Sequence, residues 1–408
     1  MTYKNWMIVL LALVASCVGA QENKLLPLQV DVVYLASDLL QGRETGTKGE
    51  AMAAEYIAHR FAQMGLTPKG KDGTWYQPFQ FQYNNNPHGG GTAESRMGKN
   101  VVGYLNNKAA TTVVIGAHYD HLGQGIFGSL HTGESAIHNG ADDNASGIAA
   151  LIYLAEALKN GKASHNNYLF IAFSGEEMGL IGSKNFVNEP TIDLSKINYM
   201  INMDMVGKLN AEKVLVVNAV GTSPAWKDAL NSIQVDGIKL NTTESGIGPS
   251  DHTSFYLKDI PCLHFFTGQH LDYHKPQDDS EKVNYEGLLS VSNFILALIE
   301  TLDDDGKLAF SKTKDENEGR QAASFKVSLG VMPDYVFQGE GMRIDGVIDG
   351  RAAALAGLKN GDVIIKIGDH AVKDIYSYMD GLSHFSKGDK TKVVVKRGEE
   401  EIEVEVAF

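Results

Sequence analysis

The sequence predicts an α/β protein: a mainly parallel mixed sheet covered by helices on both faces, followed by a small, mostly-β domain. Three observations carry this. Strand-like apolar runs alternate with helical stripes from about Leu35 to Leu302, the pattern of a parallel sheet with helices on its faces. Composition then shifts, because Asp303-Asp304-Asp305-Gly306 opens a charged, weakly apolar stretch. Short β patterns return from Phe325 and end in alternation at Lys392–Lys396 and Ile402–Phe408. A chain of 408 residues is long enough for two or three domains. The expected division is a leader over 1–20, a first domain over 21–302, a linker over 303–322 and a second domain over 323–408.

The leader is read from its three parts. Lys4 is followed by the apolar run Trp6–Ala15 and then by Ser16-Cys17-Val18-Gly19-Ala20, which describes a secretory signal peptide. The run is shorter than the ~20 apolar residues a spanning helix needs. Cleavage after Ala20 would give an exported protein, periplasmic or extracellular, beginning at Gln21. Val14-Ala15-Ser16-Cys17 also resembles a lipoprotein box, so membrane attachment would come only through a lipid on Cys17. The other cysteine, Cys262, lies in the apolar run Ile260–Phe266 and is expected as a small buried hydrophobe.

Within the first domain, Thr47-Lys48-Gly49-Glu50 has the spacing of a capping box. Ala53, Ile57, Phe61 and Met64 follow at helical spacing and Gly65 supplies the stop. Val113–Ile115, Tyr168–Phe173, Tyr199–Met203 and Ile260–Phe266 read as buried strands. Ile148, Leu151, Ile152, Ala155 and Leu158 form a helical stripe between the first two. A formal charge of -14 argues against a nucleic-acid partner, which would require a basic surface.

Candidate metal ligands cluster just after these strands. His118-Tyr119-Asp120 follows the first, Ser174-Gly175-Glu176-Glu177 the second and Asp204 the third; Tyr273-His274 follows the fourth after a short loop. Ligands in open α/β sheets bind beyond the carboxyl ends of strands, so these residues can converge. In an extended segment residues i and i+2 face the same way, so Asp120 can accept from His118 while the other imidazole nitrogen binds metal. The loop Gly140–Gly147 offers a carboxylate before a helix. Tandem Glu176-Glu177 can divide the work, one coordinating metal and the other acting as a base. Asp204 and His274 complete a mixed nitrogen and oxygen set that suits zinc. Asp143, Glu177 and Asp204 supply three negative charges and a bridging hydroxide a fourth, which balances two divalent ions.

The runs GAHYDHLG, GADDNASG, SGEEMGLIGS, NMDMVG and YHKPQDD, together with LLQGRETGTKGEAMAAEYIA, resemble the secreted dizinc aminopeptidase family. That family includes bacterial leucyl-type aminopeptidases, with glutaminyl cyclases and glutamate carboxypeptidases as relatives. The resemblance covers about Leu35 to Leu302 and implies the zinc-peptidase fold and two Zn ions per chain. It implies that His118 and Asp204 hold one zinc, Glu177 and His274 the other, and that Asp143 bridges them. Glu176 would be the general base, Asp120 would orient His118 and Tyr273 would steady the oxyanion. A cis peptide at Asp143-Asn144 is implied too, although Asn144 stands where several members have aspartate. The implied reaction removes N-terminal residues from peptide substrates through a zinc-bridging hydroxide. Glutaminyl cyclisation is the rival within the family, and a non-catalytic binding protein the rival outside it.

His121, His131 and His138 lie near this set on a Gly-rich loop without a partner in the motif. Asp251-His252 is expected to shape the pocket by hydrogen bonds. The second domain resembles bacterial PDZ domains through Ser328-Leu329-Gly330-Val331 and Gly357-Leu358-Lys359-Asn360-Gly361-Asp362-Val363-Ile364. The resemblance implies a groove for a C-terminal peptide, added as a strand to the sheet edge.

Overall fold

Four apolar runs make the centre of the main sheet. In chain order its strands are β1 (Thr67–Pro68), β2 (Tyr76–Tyr83), β3 (Glu94–Leu105), β4 (Thr111–His118) and β5 (Asn166–Phe173). They continue as β6 (Ile197–Met203), β7 (Val214–Asn218), β8 (Lys239–Thr242) and β9 (Cys262–Phe266). This computed structural model describes residues 24–83, 94–126, 128–131, 133–313, 327–333, 337, 339–347 and 350–408. The expected leader, 1–20, lies outside them. Among the described residues no helix is long and apolar enough to cross a membrane.

Strands β5, β4, β6 and β9 lie side by side and run parallel. β5 and β6 are buried along their whole length, as strands covered on both faces must be. The flanks are antiparallel: β3 pairs with β5 on one side and β7 with β9 on the other, so the sheet is mixed with a parallel centre.

Alternate residues feed two cores. Val113, Ile115, Tyr168 and Phe170 face the larger core, built with helices α1 (24–35), α2 (Lys48–Gln63), α3 (Gly147–Asn160) and α7 (Tyr285–Thr301). Val114, Leu169 and Ile171 point the other way, toward Phe186 and Phe255 on α4 (Ile181–Asn188) and α6 (His252–Tyr256). The short α5 (Ala225–Ser232) closes the far end with the buried Trp226. Every apolar position expected on α2 and α3 is buried except Met64, which is partly covered. Cys262 is buried as a free thiol, and burial pushes its pKa up.

Two local expectations change. Thr47 does cap α2, its Oγ1 accepting from the Glu50 N–H at 3.4 Å. Glu50 does not complete a capping box. Its carboxylate accepts from the N–H groups of Gly46 and Lys99 at 3.3 and 3.2 Å and from Tyr119 Oη and Ser174 Oγ at 2.8 and 2.9 Å. A buried carboxylate must find donors, and here they come from residues flanking His118 and Glu176.

The second correction concerns the linker expected over 303–322. Its first part packs on the main domain: the Asp303 carboxylate accepts from the N–H groups of Ser164 and His165, and Leu308 and Phe310 join the two cores. The Thr313 N–H reaches Tyr256 Oη at 3.1 Å. Charged composition misled here, because Asp303 is consumed by backbone donors instead of water. Residues 314–322 lie outside the described set.

The second domain is a separate six-stranded sheet of β10 (Val331–Pro333), β11 (Met342–Val347), β12 (Val363–Ile367), β13 (His370–Ala371), β14 (Lys390–Arg397) and β15 (Glu400–Ala407). Helices α8 (Ala352–Leu355) and α9 (Ile375–Ser383) accompany it, over a core that includes Leu329, Ile344, Ile364, Leu382 and Val395. β10 stands at the end of the strand order.

Candidate metal centre

Three of the five candidate ligands sit where strands stop, and Asp143 and His274 lie on turns and loops beside them. His118 is the last residue of β4, Asp204 follows β6, and Glu176-Glu177 follow β5. Asp143 lies in an irregular turn before α3, followed by the implied cis peptide to Asn144. Asp278 fixes that turn by accepting from the N–H groups of Asp142 and Asp143, at 3.0 to 3.1 Å. Gly140 opens it with φ 58 and ψ 57; a side chain there would run into the Asp143 carbonyl and the His121 ring. Only glycine satisfies both demands.

The structure brings the five expected ligands together as two half-sites that share Asp143. His118 Nε2 is 3.3 Å from Asp143 Oδ1 and 3.3 Å from Asp204 Oδ1. His274 Nε2 is 3.2 Å from Asp143 Oδ2 and 3.2 Å from Glu177 Oε2. Tetrahedral zinc with bonds of about 2.0–2.1 Å separates its ligands by about 3.3 Å. The observed edges are of the length a zinc site requires, and Asp143 turns one oxygen to each half-site.

The surroundings hold each ligand in a metal-facing pose. His274 Nδ1–H donates to the Gly128 carbonyl at 2.9 Å, which leaves Nε2 toward the carboxylates. Ser250 Oγ donates to Asp204 Oδ2 at 2.7 Å, and Asn202 Nδ2 donates to Ser250 Oγ at 2.8 Å. Partners of this kind orient ligands and tune affinity. Asp251 and His252 were expected to make such bonds, yet it is the neighbouring Ser250 that reaches a ligand.

Asp120 is at the site, but not through the contact expected. His118 Nδ1 lies 3.2 Å from the Asp120 carbonyl and 3.6 Å from its carboxylate. That carboxylate instead accepts from Thr45 Oγ1 at 2.9 Å and from the Glu176 N–H at 3.2 Å. Its backbone steadies His118 and its side chain steadies Glu176. The Tyr273 ring stacks on His274 with centroids 3.8 Å apart, beside the second half-site.

Electrostatics separate the tandem glutamates. Burial, then the charges of Asp204, Asp251 and Glu177, push Glu176 well above the usual carboxylate range. Burial would raise Glu177 as well, but His274 and His121 outweigh it and pull it below. Two adjacent carboxyls driven apart in this way suit different tasks, a base and a ligand. His118 follows the same logic with opposite sign. Burial disfavours its charge, but Asp204 and Glu176 raise it well above the normal imidazole value.

Four contributors received no task from the motifs, although Arg43, His121 and Asp278 lie inside the quoted runs. Arg43 is fully buried, and its guanidinium donates to the carbonyls of Leu35, Tyr119, Asn139 and Gly140. It thereby ties the His118 strand exit to the Asp143 turn. Ser250 directly precedes Asp251-His252 and Asp278 lies in the run YHKPQDD, yet the motifs assigned neither a contact. His121 Nδ1 lies 2.7 Å from Glu177 Oε1. Of the other loop histidines, His138 is held by Ser129 Oγ and the Ala136 carbonyl, away from the ligands. His131 reaches the same loop through its N–H to Ser129.

Fold and site together define an α/β protein with a half-buried His/Asp/Glu cluster of potential metal ligands beyond the strand ends and a separate β-rich domain. Residues 100–299 match Peptidase family M28 and residues 310–408 match the PDZ domain; the chain carries an M28 peptidase domain and, after it, a PDZ domain. Aminopeptidase YwaD of Bacillus subtilis is 28% identical over 216 residues, covering 49% of this chain and 44% of that protein. The chain thus spans less than half the length of this relative. Among solved structures, BSAP, a zinc aminopeptidase from Bacillus subtilis, aligns over 67% of this chain and 94% of its own with 19% identity and a TM-score of 0.53. Porphyromonas gingivalis glutaminyl cyclase aligns over 70% and 98% with 17% identity and a TM-score of 0.50. These likenesses establish the fold.

Proposed function

We propose that the protein is an exported dizinc aminopeptidase that removes N-terminal residues from peptides. One observation carries the reading: Asp143 turns one carboxylate oxygen to His118 and the other to His274, at 3.3 and 3.2 Å, which is the geometry of a bridge. The name of the Bacillus subtilis relative, an aminopeptidase, supports the substrate assignment, and the signal-like first twenty residues support export. Zinc bound there would polarise the scissile carbonyl and make an attacking water acidic.

The chain's own groups do the rest. Glu176, with its elevated pKa, takes a proton from the attacking water and returns it to the leaving amine. The Asp120 carboxylate keeps Glu176 in place through its N–H. Tyr273, whose ring stacks on His274, is proposed as the donor to the developing oxyanion. In the PDZ domain the Gly330 N–H donates to Ser328 Oγ at 3.0 Å with φ at +73, forming the turn proposed to receive a peptide carboxylate. Strand β10, at the end of its sheet, is the edge on which that peptide would add.

The test is product analysis by mass spectrometry on a mixture of short peptides, comparing zinc-loaded wild type with Glu176→Gln. Stepwise loss of N-terminal residues is expected, with turnover falling by about 10²–10⁴ in the variant while its zinc content is retained. Pyroglutamate formation, as in the cyclase, would overturn the substrate assignment. Full activity in Glu176→Gln would remove the proposed base.

A further inference from the structure

Among the described residues, His121 is a histidine in direct contact with a candidate ligand that the proposed function leaves without a task. It is the fourth residue of the run His118-Tyr119-Asp120-His121, and only 1% of it is exposed. Its Nδ1 lies 2.7 Å from Glu177 Oε1 and 3.8 Å from Asp143 Oδ2, and its ring meets His274 edge-on with centroids 5.8 Å apart. His121, Asp143 and Glu177 are close enough together to share a cation. Proximity therefore allows two roles, a direct metal ligand or a group that holds one.

The distances decide between them. Ligands on one tetrahedral zinc stand about 3.3 Å apart, as the four His–carboxylate edges of the two half-sites do. The His121–Glu177 separation of 2.7 Å is shorter, and it is the length of a hydrogen bond to a carboxylate. The 3.8 Å to Asp143 is too long for such an edge. His121 thus donates Nδ1–H to Oε1, and Glu177 presents its other oxygen, Oε2, to His274 at 3.2 Å.

Packing and the backbone place the ring for this task. The His121 backbone N–H donates to the Arg43 carbonyl at 3.3 Å, and Gly140 lies against the ring so closely that a Cβ there would be 2.5 Å from its Cγ. Nε2 is buried with no protein partner, so Nδ1 makes the ring's one hydrogen bond among the described residues. Glutamate freed from such a donor has several rotamers open to it and must be ordered again each time it binds a cation. Nδ1–H also occupies Oε1, which keeps Glu177 from turning both oxygens inward.

We infer that His121 is a positioning residue: it holds Glu177 in a single-oxygen pose and so sets the affinity of the half-site made by Asp143, Glu177 and His274. The inference rests on the two-zinc reading. It carries over to any cation that half-site takes, because it concerns the ligand and not the reaction.

The experiment measures zinc binding to the full chain by competition with a chromophoric chelator, with elemental analysis for stoichiometry. Wild type, His121→Ala and His121→Asn are compared; the asparagine amide can place an N–H near the Nδ1 position. Wild type should bind two ions. His121→Ala should weaken one of them about 10–100-fold and leave the other unchanged, which also shows that the variant is folded. His121→Asn should return the weakened ion to within several-fold of wild type, with the visible spectrum of the cobalt form unaltered because the ligand set is the same. Unchanged affinity for both ions in His121→Ala would overturn the inference. So would an asparagine variant as weak as the alanine one with an altered cobalt spectrum, which would make the imidazole itself a ligand. A wild type that binds a single ion would overturn the two-zinc reading and this inference with it.

Discussion

Replacing Arg43 with methionine tests whether one buried guanidinium organises the centre. The side chain is fully enclosed and donates to four backbone carbonyls, those of Leu35, Tyr119, Asn139 and Gly140. Methionine has a similar length, offers no donor and keeps the same left-handed backbone, where φ is 49, so backbone strain cancels between the variants. The Gly140 carbonyl keeps the Ala145 N–H at 3.2 Å, and each of the three buried acceptors then left without a donor costs about 1–3 kcal/mol, roughly 3–9 kcal/mol together. Several kcal/mol return because a guanidinium need no longer be stripped of water. Burial already depresses its pKa to about 10 even though Asp120, Asp143, Asp278 and Glu177 pull the other way. The net expected loss is about 3–5 kcal/mol. Urea unfolding followed by tryptophan fluorescence reads it cleanly, because Trp75 and Trp226 lie in the peptidase domain and the PDZ domain has no tryptophan. Chelator in the buffer keeps metal binding from adding to the stability, and the midpoint shift times m gives the loss. A loss under about 1 kcal/mol would refute the reasoning, since water would then be serving those carbonyls as well as the guanidinium does.

Two further outcomes follow from individual contacts. Ser250→Ala removes the donor to Asp204 Oδ2 at 2.7 Å and should weaken the His118–Asp204 half-site about 10-fold, read by zinc competition; a change confined to the other half-site would contradict the assignment. In the PDZ domain, burial would raise the pKa of Asp362, but the Arg397 guanidinium and the Lys359 N–H lower it overall. A carboxylate depressed in the folded state adds stability above its unfolded pKa of about 3.9 that is lost as pH falls through the folded value. Calorimetry of the full chain should therefore show the wild-type PDZ transition dropping below about pH 4. Asp362→Asn should melt lower at neutral pH and lose part of that acid dependence. Parallel curves for the two proteins would count against the pair.

Much of the centre is visible in the chain because its residues are tied to strand ends. Apolar runs of five to eight residues mark where β4, β5, β6 and β9 stop, and a parallel sheet gathers such ends on one side. His118, Glu177 and Asp204 are legible for that reason, and His274 and Asp143 through the loops nearby. The tasks of Arg43, Ser250 and Asp278 are not, even where the residue lies in a quoted run, since each acts through contacts with residues tens of positions away or more. Asp120 was legible as a site residue but not in its contacts. Spacing places a side chain on a face and leaves open whether its carboxylate or its carbonyl meets the neighbour. The segment 303–313 reads as solvated by composition and packs against the domain because Ser164 and His165 offer their N–H groups to Asp303.

By itself the sequence determined the alternation of strands and helices, the two-domain plan and the set of potential ligands, since periodicity and residue type are local properties. Only the tertiary structure decided how that set divides. It turned the two oxygens of Asp143 toward different histidines, assigned the Asp120 carboxylate to Glu176, and set His121 behind Glu177 at hydrogen-bond length. Those outcomes depend on differences of about half an ångström between side chains from separate elements, and such differences are fixed by packing and by the pairing of buried polar groups.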